Sequence, residues 1–183
     1  MPGISQALRK LVEVLDGVRV PHMLIGGYAL PAYGRIRATL DVDVAIAASF
    51  SEVVKLHKSL TERGFQLSSS PQRDAPLFVL TDLENKVEIE VWTKPDGIVF
   101  DEELLHRRIR VRPFDDDFEM FAIGPEDFIV NKLARKDRGV QDEQDVISVL
   151  KRRKGRLDYD YLTRRAKHAE VHGLLHTLMA KVE

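Results

Sequence analysis

The run LDVDVAIA, residues 40–47, alternates acidic and aliphatic side chains with a period of two. Only an extended strand turns such a pattern into two chemically distinct faces. Asp41 and Asp43 then project from one face, and Leu40, Val42 and Val44 from the other. A second run, KVEIEVW at 86–92, repeats the device with Glu88 and Glu90 on one face and Val87, Ile89 and Val91 on the other. Preceded by LFVLT and a turn at Asp82 to Asn85, it predicts a hairpin. Carboxylates gathered in this way are costly to bury unless a cation compensates them.

The rest of the chain supplies helices to cover such a sheet. Leu8, Leu11, Val12 and Leu15 form an amphipathic stripe that Gly17 ends. VPHMLIGG reads as a buried strand closed by Gly26 and Gly27, and YALPAYG as about two helical turns with Pro31 in the first. Ser49 caps a helix that carries Val53, Leu56 and Leu60 and stops at Gly64. Residues 68–76 read as a loop. A short helix near Asp101 to Arg107 precedes two strand-like runs, and Asp115, Asp116 and Asp117 between those runs read as a solvated turn. Pro125 opens the helical segment PEDFIVNKLARK, and three more helices follow. The expected class is α+β with an α/β-like front: a mixed sheet backed by helices over residues 1–123, then a helical C-terminal region over 124–183.

Length and composition narrow the setting. At 183 residues the chain suits one core with a helical appendage. The formal net charge of −1 gives no global attraction for nucleic acid, so any such contact must come from a local cluster such as KRRKGR with Arg164, Arg165 and Lys167. The absence of cysteine excludes disulfides, thiolate metal sites and cysteine nucleophiles. His168, His172 and His176 recur at a helical spacing of four, which would bring three imidazoles to one face. No apolar run approaches the roughly 18–20 residues needed to cross a bilayer. The expectation is a cytoplasmic protein without membrane association.

The acids point to metal chemistry. Mg²⁺ prefers oxygen ligands and is often held by one or two carboxylates, with water and phosphate oxygens completing the shell. A glycine pair that ends a strand and opens a helix lets phosphate approach backbone N–H groups. Gly26 and Gly27 therefore suit phosphates, and Asp41 and Asp43 suit their metal. Glu90, with Glu88 as the alternative, offers a third acid. Two ions about 3.5–4 Å apart could clamp the attacking and leaving oxygens of an in-line displacement. The chemistry indicated is phosphoryl or nucleotidyl transfer.

The ordered set Gly26-Gly27, Tyr33-Gly34, Arg37, Thr39, Asp41 and Asp43 resembles the GG…HG…R-x-T-x-D-x-D signature of the DNA polymerase β-like nucleotidyltransferase superfamily. Within it the chain is similar to small AbiEii-like toxin nucleotidyltransferases and to the aminoglycoside and lincosamide nucleotidyltransferases. The downstream PEDFIVNKLARKDRGVQDEQDV looks like the P-x-D-L…K…R…D-x-x-D helical segment of those families.

The resemblance implies the nucleotidyltransferase fold and a metal-dependent transfer of a nucleoside monophosphate from a nucleoside triphosphate to an acceptor hydroxyl. It further implies that Gly26 and Gly27 grip the triphosphate, and that Asp41, Asp43 and Glu90 bind Mg²⁺, with Glu90 as ligand or base. Arg37 would bind phosphate, with Tyr28 and Thr39 beside it, and Lys132 would reach the nucleotide. The acceptor stays open between tRNA, a protein hydroxyl and a small molecule. A toxin with an antitoxin partner is one reading. The chain departs from the pattern at Tyr28, where Ser or Thr is common, at Tyr33 for His, and at Glu90 for Asp. Those departures motivate a non-catalytic nucleotide-binding or interaction module as the alternative, and paired acids equally suit a metal-dependent phosphohydrolase.

Overall fold

The computed structural model describes residues 2–68, 70–114 and 117–182. Asp115 and Asp116 of the acidic turn lie outside the described residues, while Asp117 is exposed and pairs with Arg9. In chain order the elements are α1 (Pro2–Gly17), β1 (His22–Leu24), α2 (Gly26–Ala29), β2 (Asp43–Ile46), α3 (Phe50–Glu62), β3 (Phe65–Leu67), β4 (Leu77–Asp82) and β5 (Val87–Trp92). They continue with α4 (Glu102–Arg107), β6 (Ile109–Val111), β7 (Met120–Ala122), α5 (Pro125–Ala134), α6 (Val140–Arg152), α7 (Tyr159–His168) and α8 (His172–Ala180).

The strands form one mixed sheet in the order β3-β4-β5-β2-β1-β7-β6. The central β2/β5 pair and the β1/β7 pair are parallel, and the remaining neighbours are antiparallel. This is the α+β mixed sheet expected. The hairpin from LFVLT and KVEIEVW forms as β4 and β5, with Asp82 opposite Val87. The α3 helix begins where its capping box predicts: the Ser49 side chain accepts from the Glu52 N–H, and Glu52 accepts from the Ser49 N–H at 2.7 Å. Leu8, Leu11 and Leu15 of α1 are fully buried, each worth roughly 1.5–3 kcal/mol of apolar transfer. One apolar cluster runs from these side chains through the sheet to Val146 of α6, Leu162 of α7 and Leu178 of α8.

Polar contacts tie α7 to α5 and to the N-cap of α4. The Tyr161 hydroxyl donates to Asp127 on α5 at 2.8–2.9 Å, Arg165 meets Asp101 at 2.6 Å, and Glu126 accepts from the Asp158 N–H at 2.9 Å. Burial lifts the Asp127 carboxyl to about 6, against the Tyr161 bond and the Arg165 charge.

Several elements differ from the sequence expectation. The helix expected over YALPAYG starts earlier, at Gly26, and passes into a 3-10 turn at Leu30–Ala32 that contains Pro31. Strand β2 begins only at Asp43, so Asp41 precedes it, and Leu40 is 93% exposed instead of facing inward. The edge strand β3 has no counterpart in the sequence reading, because three residues between a glycine turn and a serine run carry no readable period. The histidine face does not form. Helix α7 ends at His168, Glu170 takes a φ of 60°, and a new helix starts at His172. Three cations of the basic cluster make internal contacts: Arg153 donates to the Ala32 carbonyl, Arg164 to Glu103 and Arg165 to Asp101. Among the described residues no helix is long and apolar enough to cross a membrane.

Candidate active site

Strands β2 and β5 run side by side at the sheet centre and set Asp43 opposite Glu90. The Glu90 N–H donates to the Val42 carbonyl at 2.9 Å, which locks this register. Because the two residues are paired in register, their side chains leave the sheet on the same face. Burial raises the Glu90 carboxyl above its ordinary range, and the charges of Asp43 and Asp41 raise it further. Burial also raises Asp43, while the Trp92 N–H, Lys132 and Arg135 pull it down. Glu88 lies opposite Thr81 on the exposed hairpin, so the geometry brings Glu90, not Glu88, beside Asp43.

The diglycine is held against this pair. The Ile25 N–H donates to the Asp43 carbonyl at 2.9 Å, which delivers Gly26 directly beside the acid. Gly26 has a φ of 63°, and a Cβ there would overlap Asp43 Oδ2 and stand 2.8 Å from its Cγ. A Cβ on Gly27 would come within 2.6 Å of Thr39 Oγ1. Both bare positions therefore accommodate side chains of the acid-bearing segment. Gly26→Ala is expected to cost about 1–2 kcal/mol from the left-handed backbone alone and to push Asp43 out of place. Urea denaturation should show the loss of stability, and activity per folded molecule should fall at least about tenfold, since a displacement near 1 Å costs far more than that in a positioned site.

Asp43 faces a small cleft lined by Gly26, Trp92, Asp96, Asn131, Lys132 and Arg135. Asp41 and Glu90 instead line a broad groove over the β4–β5 hairpin, together with Leu40, Thr81, Lys86 and Glu88. The Asp43–Glu90 pair thus stands between a cleft where Lys132 and Arg135 face Asp43, Asp96 and Asp137 and a groove lined mostly by acids.

Lys132 is only 2% exposed; its ammonium bonds Asp142 at 2.8 Å and stands 3.6 Å from Asp145. Arg135 forks onto Asp137 at 2.8–3.0 Å, and that bond raises its pKa further. Arg37 does not face the cleft freely. It grips both oxygens of Asp145 at 3.1–3.2 Å, where Arg35 also donates at 3.1 Å. Tyr28 stands apart from Asp43, with its ring tilted against Phe114 at 5.7 Å and beside Pro31 and Arg153. Tyr33 is buried edge-on to Phe128, and its hydroxyl has no hydrogen-bond partner among the described residues.

Sequence reasoning misses Trp92, Arg135, Asn131 and Asp96. For Trp92 a signal exists, since it follows Glu90 by two strand positions and must share its face. Arg135 is hidden among the cations expected near any helix C-terminus. Among the described residues, no three His, Cys, Asp or Glu side chains are gathered closely enough to hold a metal ion. The pair Asp43–Glu90 is the nucleus of the site, and Asp41 sits just outside it.

A mixed sheet with two acids at its centre, a diglycine bend against them and helices behind defines a nucleotidyltransferase fold. Solved structures agree: the lincosamide antibiotic adenylyltransferase LnuA in its lincomycin-bound form (TM-score 0.50, 14% identity, 79% of this chain and 94% of that one); the antibiotic-resistance factor ANT(2'')-Ia (0.57, 12%, 94% and 95%); and an antigenic nucleotidyltransferase-like protein from Paracoccidioides brasiliensis (0.55, 17%, 100% and 94%). At these identities the likeness speaks for the fold. A family model described as "Nucleotidyl transferase of unknown function (DUF2204)" matches residues 4–177, so the chain belongs to that family and is a nucleotidyltransferase. No curated protein matches it.

Proposed function

We propose that this nucleotidyltransferase moves a nucleoside monophosphate from a Mg²⁺-bound nucleoside triphosphate to a hydroxyl of a small acceptor. The observation that carries the reading is the in-register Asp43–Glu90 pair set between a cleft that holds Lys132 and Arg135 and an acid-lined groove. The donor set fits magnesium. Two adjoining carboxylates, both raised by burial and by neighbouring acids, want a cation, and Mg²⁺ commonly takes one or two carboxylates and leaves its other positions to water and phosphate. Asp43 would hold the ion, with Glu90 adjoining and Asp41 outside the pair, and the ion would supply neutralisation of the phosphate oxygens.

The triphosphate belongs on the cleft side. There Gly26 lines the cleft beside Asp43, its missing Cβ and that of Gly27 letting Asp43 and Thr39 pack against the bend, and Lys132 and Arg135 offset the phosphate charge. The acceptor hydroxyl enters from the groove and gives its proton to Glu90, whose elevated pKa suits a base. Its oxygen bonds to the α-phosphorus as the bond from that phosphorus to the α,β-bridging oxygen breaks. Pyrophosphate leaves toward the cations. Arg37 acts behind this site: anchored on Asp145, it holds the segment between diglycine and acids.

The groove chemistry speaks for the acceptor class. Asp41, Asp82, Glu88 and Glu90, against Lys86 in the lining, suit a neutral or cationic small molecule, whereas tRNA would press phosphates onto acids. LnuA is bound to lincomycin and ANT(2'')-Ia to adenylyl-2''-tobramycin, which accords with a small-molecule acceptor here. The test is incubation with each α-labelled nucleoside triphosphate, Mg²⁺ and either amine-bearing polyols or tRNA. Expected is pyrophosphate release that needs a polyol acceptor and stops with EDTA. Absence of product with all four nucleotides would overturn the reading, as would labelling of tRNA alone; orthophosphate or monophosphate released without an acceptor would instead indicate a phosphohydrolase.

A further inference from the structure

We infer that Trp92, the single tryptophan of the chain, is a positioning residue for the acidic pair, its indole N–H holding Asp43 in the orientation that receives a divalent ion. This rests on the proposed metal-dependent transfer. Trp92 is the last residue of β5, two positions beyond Glu90 and opposite Ala45 of β2. Strand alternation therefore puts it on the face of Glu90, one step further along, where it forms a wall of the cleft.

Its Nε1–H donates to Asp43 Oδ1 at 3.2 Å. An indole nitrogen donates and never accepts, so it stabilises only a carboxylate oxygen turned toward it. The other oxygen, Oδ2, lies over Gly26, where any side chain would collide with it. One oxygen is thus tethered, and the other has its place kept clear by a missing Cβ. Apolar packing would be served equally well by a phenylalanine; the N–H adds a donor that a metal-ligating carboxylate uses to stay oriented. Partners of this kind, when removed, weaken metal binding by about 10–100-fold.

Because the chain has one tryptophan, the residue can be watched and replaced without ambiguity. In ¹⁵N-labelled protein the single indole cross-peak should move on Mg²⁺ titration, and Asp43→Asn should shift it without metal and abolish the Mg²⁺ response. Growth of a tryptophan auxotroph on benzothienylalanine replaces only the N–H by sulfur and keeps the ring volume. Trp92→Phe is the companion variant. Free Mn²⁺ counted by electron paramagnetic resonance, with and without an α,β-methylene nucleoside triphosphate, should show affinity about 10–100-fold weaker in both, with circular dichroism unchanged. If wild type binds Mn²⁺ through Asp43 but both Trp92 replacements bind it equally well, the positioning role is overturned while the metal reading stands. If wild type binds no Mn²⁺ under either condition, both fall.

Discussion

Asp43→Asn should lower kcat by about a hundredfold to several thousandfold, the equivalent of about 3–5 kcal/mol of transition-state stabilisation at tenfold per 1.36 kcal/mol, while the melting temperature stays level or rises. The two directions share one cause. Burial disfavours the ionised Asp43, and the neighbouring Asp41 charge adds to that, so the folded state carries the carboxylate at a cost that Lys132, Arg135 and Trp92 offset only in part. Asparagine keeps the shape and retains an oxygen to accept from the Trp92 N–H, but removes the charge that the ion needs. Such opposed changes mark a residue kept for chemistry in spite of the fold. Initial rates at saturating nucleotide, paired with thermal melts, check the prediction. A variant that melts lower and keeps its turnover would place Asp43 in the scaffold instead.

How much of this is legible in the sequence depends on whether the signal is local. The β4–β5 hairpin and the α3 cap are readable because period-two alternation and a Ser-x-x-Glu box act within a few residues. The facing of Asp43 and Glu90 follows from the same alternation, once two strands are granted and placed side by side. What escapes is nonlocal or too short to repeat. Leu40 sits in an alternating pattern yet points to solvent, because the ladder to β5 does not extend back to it. The three histidines keep their spacing across a helix break, which periodicity alone does not register. Arg37 lies between bend and acids in the sequence as in the fold, but its partner Asp145 is 108 residues away, and no local pattern links the two.

That remote pairing yields the largest stability effect. Asp145 on α6 is fully buried and takes Arg35 Nε at 3.1 Å, Arg37 through Nε and Nη2 at 3.1–3.2 Å, and Gln141 at 3.1 Å, with Lys132 at 3.6 Å. A single carboxylate thus serves three cations, two of them on the irregular segment that connects the diglycine bend to the acids. Lys132 retains Asp142, so it is not stranded by loss of Asp145, whereas Arg35 and Arg37 lose the anchor that keeps them folded onto α6. Removing one partner of a buried ion pair typically costs about 3–5 kcal/mol, because the remaining charges are left uncompensated. Asp145→Ala should therefore be destabilised by about that amount in urea, with an unchanged m-value. Asp145→Asn, which can still accept one or two of these bonds, should lose less. Arg37→Ala should lose less again, since Arg37 is partly exposed and its removal leaves Asp145 with Arg35 and Lys132. A shared buried anchor requires this order, with Asp145→Ala the most severe, Asp145→Asn intermediate and Arg37→Ala the mildest. A loss below about 1 kcal/mol for Asp145→Ala would show that the pairing behaves like exposed surface ion pairs, and that the segment between glycines and acids is held by Thr39 against Gly27 and the β2 register instead.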